Sequence, residues 1–97
     1  MPRQSDAQAY FFVFRNPTEI PSSLNSWCTP YSGLVKKGEV HGRFYSFYES
    51  ARAPEEAMLA GKLKLVKHGL SNATILLIER STTDTGFTTV FEENDNG

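Results

Sequence analysis

The sequence predicts an α+β domain, an antiparallel-rich sheet of four to five strands with one long helix on one face. Three observations carry this expectation. Tyr10 to Arg15 and Thr74 to Arg80 are apolar runs without alternation, the pattern of strands covered on both faces. Ala53 to His68 repeats with a helical period. Val40 to Glu49 and Phe87 to Glu92 alternate, as strands with one open face do.

The elements follow in order. Tyr10-Phe-Phe-Val-Phe-Arg15 is closed by Asn16-Pro17 and reads as a central strand. Pro17, Pro21 and Pro30 exclude a long helix in the next stretch, because each proline lacks an amide donor and crowds the preceding turn. Between them, Ile20, Leu24 and Trp27 are spaced to lay a short helix on the sheet, with Pro21 at its first position; an irregular loop over 18–28 is the other reading. Leu34-Val35, a turn over Lys36 to Glu39, and Val40 to Glu49 read as a hairpin. In the helix from Ala53 to His68, Pro54 suits the first turn. Glu55 and Glu56 favour the positive end of the dipole, and Lys62, Lys64, Lys67 and His68 the negative end. Leu59, Leu63, Val66 and Leu70 form one apolar stripe, expected to be the buried face, with Gly69 as a left-handed cap. Thr74 to Arg80 is the second buried strand, and Phe87 to Glu92 pairs back on it through the turn chemistry of Asp84 and Gly86. If the segment around Leu24 is helical, the first six elements read βαββαβ, the split-βαβ or ferredoxin-like arrangement, and the last strand is an addition.

Ninety-seven residues give one domain, expected over 9–92 with frayed ends at 1–8 and 93–97. With 10 basic and 11 acidic side chains, the chain is not a polycationic DNA or membrane binder. No apolar run approaches a spanning helix, and Met1 to Asp6 lacks the apolar stretch of a secretion signal, so a cytoplasmic location is expected.

Catalytic chemistry finds no constellation. The single cysteine, Cys28, could act as a nucleophile only beside His41 or His68, and it follows Trp27 in a segment expected to lie on the sheet. Two distant histidines without HxxH or HExxH spacing do not hold zinc, and the glycines form no phosphate cradle. No catalytic residue, metal or cofactor is expected; a small enzyme using Cys28 or His41 is the least favoured reading.

His41 to Tyr48, His-Gly-Arg-Phe-Tyr-Ser-Phe-Tyr, is similar to the aromatic octapeptide on the third strand of RNA-recognition motifs. Gly42, Tyr45 and Tyr48 fall at matching places, whereas Arg43 and Phe44 depart from the pattern. The resemblance covers eight residues and implies base stacking on an aromatic sheet face. Residues 1–52 carry six basic and four acidic groups, a balance of +2. Residues 53–97 carry four basic and seven acidic groups, with Glu92, Glu93 and Asp95 clustered at the end. Such a cluster can dock on a basic groove.

The expectation is therefore a small non-enzymatic binding protein, a regulator or inhibitor acting by protein–protein interaction on a larger enzyme or assembly. Phage and mobile-element proteins that disarm host nucleases are one such class. A single-stranded nucleic-acid module is the alternative. On the strand from Val40 to Glu49, Phe44 and Tyr48 share a parity with Gly42 and Ser46, two residues small enough to let a helix approach. That set is expected to face the helix, leaving His41, Arg43, Tyr45 and Phe47 open. The expected contact surface comprises these four, Tyr31, Lys36 and Lys37 at the edge, and the acidic end at Glu92, Glu93 and Asp95. Were the parity reversed, the site would move to Phe44 and Tyr48.

Overall fold

The computed structural model describes residues 7–31, 43–82 and 86–93. Among these residues five strands form one sheet: β1 (Gln8–Asn16), β2 (Thr29–Pro30), β3 (Arg43–Ala51), β4 (Thr74–Thr82) and β5 (Gly86–Glu92). A 3-10 turn at Ser22–Ser26 precedes β2, and the helix α1 (Pro54–Lys67) joins β3 to β4. The strand order is β2-β3-β1-β4-β5, with every neighbouring pair antiparallel. β3 and β4 flank β1 and so run parallel to each other, which makes β3-α1-β4 a split βαβ unit. The α+β expectation holds, and the order of the first four strands is that of the ferredoxin-like arrangement. Among the described residues its first helix is reduced to the 3-10 turn and its second strand to two residues. That strand lies at Thr29–Pro30; Leu34-Val35 and the turns over 36–39 and around Asp84 lie outside the described residues.

β1 occupies the middle of the sheet, as its unbroken apolar run implies. Tyr10, Phe12 and Phe14 point to the helix side and are buried there with Tyr45 and Phe47 of β3. A bulge in β4 sets Ile75 opposite Phe14 and Ile78 opposite Phe12, so two residues three apart both reach this core. Phe12 and Phe47 stack in parallel at 4.7 Å, and Phe14 lies between Tyr45 and Trp27. Leu24 and Trp27 do lie on the sheet, without needing a full helix to get there.

α1 starts at Pro54 after an extended Ala53, with Glu55 and Glu56 in its first turn and Lys64 and Lys67 in its last. It ends in a Schellman motif. Gly69, at φ 79°, donates its N–H to Val66 O at 3.0 Å, and Leu70 donates to Leu65 O at 2.8 Å. Leu70 is buried beside Leu65, the apolar contact that accompanies this cap.

The expected helix face is corrected. Leu59, Leu63 and Val66 are 63%, 67% and 59% exposed, whereas Ala57, Gly61 and Leu65 face the sheet. The reason is volume. The sheet presents a layer of large rings, and close packing over them calls for small side chains from the helix. A stripe of leucines in that position would hold the helix away from the rings.

Candidate functional site

The parity of β3 is the second correction. Tyr45 and Phe47, expected on the open face, are only 5% and 3% exposed and belong to the core under α1. The close approach that Gly42 and Ser46 seemed to supply comes instead from Ala57 and Gly61 on the helix. Tyr45 tolerates burial because its hydroxyl accepts the Ile20 N–H at 3.2 Å, which also ties the 17–28 segment to β3. The octapeptide similarity therefore fails in register: Tyr45 turns inward, and Phe44, Ser46 and Tyr48 face away from the helix.

On that outward face four aromatic rings meet. Phe11 of β1 is the hub, lying directly across the ladder from Tyr48 with ring centroids 5.0 Å apart. Tyr31, just past β2, stands edge-on to Phe11 at 5.8 Å, and Phe87 of β5 lies at 6.0 Å. Tyr31 is held in place by its backbone, whose N–H donates to Phe44 O at 2.8 Å. Tyr48 is 56% and Phe87 46% exposed, while Phe11 and Tyr31 are half-buried. On the same face Val13 and Leu77 pair across β1 and β4 and are buried although they point away from the helix.

Among the described residues the alternation of the ladders sets Arg15, Glu79 and Glu92 at positions of this face, one cation against two carboxylates. Glu79 lies directly opposite Phe11, in the strand that separates Phe11 from Phe87.

Of the residues nominated from sequence, Tyr31 belongs to this cluster, and Tyr48 enters with the reversed parity. Glu92 and Glu93 are exposed but sit at the far end of β5 from Phe87, roughly 17 Å along the strand. The structure does not bring them to the rings. Arg43 begins β3; Lys36, Lys37, His41 and Asp95 lie outside the described residues. Phe11 and Phe87 were missed. Phe11 sits in a run with no alternation to assign its face, and Phe87 joins the cluster only through the pairing of β5 with β4.

Cys28 is buried, its thiol donates to Leu24 O at 3.5 Å, and desolvation pushes its pKa up from the ordinary thiol value. A raised pKa is the opposite of what a nucleophilic thiol needs. His68 stacks on Trp27 at 4.4 Å. Lys64 forms an ion pair of 3.0 Å with Glu49 while standing 5.6 Å above the Trp27 ring. Among the described residues no group of His, Cys, Asp and Glu side chains could hold a metal ion. No helix among them is long and apolar enough to cross a membrane.

Comparison with known proteins finds no counterpart: no family model, curated protein or solved structure matches this chain.

Proposed function

We propose that this chain is a non-enzymatic binding protein that regulates or inhibits a larger enzyme or assembly, and that it holds its protein partner with the aromatic face opposite the helix. The observation that carries the reading is the cluster of Phe11, Tyr31, Tyr48 and Phe87, with two of its rings about half exposed. Aromatic rings bury large areas at low entropic cost and dominate the energetics of protein interfaces. The sheet beneath them is a rigid support, so little ordering is needed on binding. Protein recognition is favoured over nucleic acid by charge, since stacking on a single strand is normally joined to cations that track its backbone. Among the described residues Glu79 and Glu92 outnumber Arg15 on the face in question.

A single-stranded RNA partner is the second reading, supported by the pairing of Phe11 with Tyr48 on adjacent strands, an arrangement on which successive bases can stack. One experiment separates the two. Wild-type chain, Tyr48→Ala and Phe87→Ala are immobilised and challenged with lysate of the source cells, and each is titrated with single-stranded RNA at rising salt. Protein captured by wild type and lost with both variants supports the first reading. RNA binding that weakens steeply with salt and is lost in both variants supports the second. Capture or binding indifferent to both substitutions removes the aromatic face from either role.

A further inference from the structure

The outward side of α1 is a second apolar surface, on the opposite side of the sheet from the aromatic cluster. Leu59, Leu63 and Val66 stand more than half exposed in one line along the helix, since spacings of four and three keep them on one face. A monomer seldom displays such a stripe without a use. The charges around it are ordered. Glu55 and Glu56 sit in the first turn, and Lys62 and Lys67 flank the stripe toward the other end; all four are exposed and fall on the same outward arc.

This arrangement is self-complementary. When two copies lay their helices antiparallel about a two-fold axis, Leu59 of one copy meets Leu63 of the other. Each flank of the seam then meets the same flank of the mate, which sets Glu56 of each copy toward Lys67 of the other and Glu55 toward Lys62. Parallel helices would set like charge on like. We infer that the chain forms a symmetric dimer through antiparallel packing of α1 on α1, with Leu59, Leu63 and Val66 as its apolar seam. An isologous interface of this kind closes on itself, so association stops at two. The seam is extended on one side by the trough between α1 and β5, where Met58, Val90 and Phe91 are half-buried and Leu59 forms part of the wall.

Other occupants fit the surface less well. A basic amphipathic helix binds anionic lipid because cations line its polar side; this arc carries two carboxylates against its two ammonium groups. The three exposed side chains make up much less than the roughly 800 Å² per partner of a standard interface. The dimer is therefore concentration-dependent and not obligate. Exposed ion pairs add little affinity, so the charges set the orientation and the apolar seam supplies the association.

The test is sedimentation equilibrium of the full chain from about 1 μM to about 1 mM, the span of weak to moderate associations. Wild type should pass from monomer to dimer without larger species. Leu63→Asp should weaken dimerisation by at least about tenfold, the effect of removing a central contact. An unchanged circular-dichroism spectrum and melting curve at low concentration would show that the variant still folds. Glu56→Lys alone and Lys67→Glu alone should each dimerise several-fold less well than wild type, and an equimolar mixture of the two should form the heterodimer with affinity restored. A chain that stays monomeric up to 1 mM overturns the proposal, even if the stripe then proves to bind lipid vesicles or another protein. So does a dimer indifferent to Leu63→Asp, or a mixture of the two charge variants that fails to recover.

Discussion

A Cβ atom on Gly61 would stand 2.6 Å from Cε2 and 2.9 Å from Cδ2 of Phe12, so α1 crosses the sheet with its backbone against that ring. The contact sets the separation of helix and sheet. Phe12 is fully buried and stacked on Phe47, which leaves it no room to yield.

Gly61→Ala should therefore destabilise the fold by about 1–3 kcal/mol, the scale of overpacking. This holds although alanine is the better helix former by about 1 kcal/mol. Denaturant unfolding measures it. Adding Phe12→Leu should cost less in the Gly61→Ala background than in the wild type, because the smaller side chain relieves the same clash. A neutral or stabilising Gly61→Ala would mean that the helix does not approach this closely.

Truncating the helix should separate its two faces. Leu65→Ala is expected to lose about 2–5 kcal/mol, as buried leucines do. Leu63→Ala, measured at low protein concentration, should stay within about 0.5 kcal/mol of wild type, as exposed positions do. The reverse order would restore the helix face expected from its leucine spacing.

At the aromatic face, Tyr48→Ala and Phe87→Ala should each weaken partner binding by about 1–3 kcal/mol while shifting the melting temperature little. Both rings are about half exposed, so their loss opens no internal cavity. Tyr45→Ala is the contrast. It removes a core ring and leaves the buried Ile20 N–H without its acceptor, and its main effect should be on stability.

Cys28 gives a pH-dependent prediction. Burial raises its folded-state pKa above the unfolded value, so the folded protein keeps the thiol proton longer than the unfolded chain does. The stability linked to that proton is fully present below the unfolded thiol pKa, about 8.5, and is lost as pH rises through the folded value. Denaturation followed upward from pH 8 should show this decline, and Cys28→Ala should remove it. Alkylation of the native protein should be far slower than that of the unfolded chain. Fast native labelling at neutral pH would contradict the burial.

Much of the architecture was legible from local pattern. The unbroken apolar runs of Tyr10 to Arg15 and Thr74 to Arg80 can be satisfied only inside a sheet. Pro54, the paired glutamates and the Gly69-Leu70 sequence mark the ends of α1 whatever it packs on, because capping chemistry is made within a few residues. The strand order needed one further step, the recognition that a helix between two strands flanking a third makes a split βαβ unit.

Which face of each element turns inward was decided only by the assembled fold. Both parities of β3 carry aromatic residues, Phe44 and Tyr48 on one and Tyr45 and Phe47 on the other, so alternation alone could not choose between them. α1 likewise offers leucines outward and Ala57, Gly61 and Leu65 inward, and a count of apolar residues favours the wrong side. The choice rests on fit between layers. Tyr10, Phe12, Phe14, Tyr45 and Phe47 fill the space above the sheet with rings, and a helix can close over them at van der Waals distance only by presenting Ala57 and Gly61. That volume match joins residues some fifty positions apart. It is invisible to any window of sequence, and it turns Tyr48 and the leucine stripe outward together.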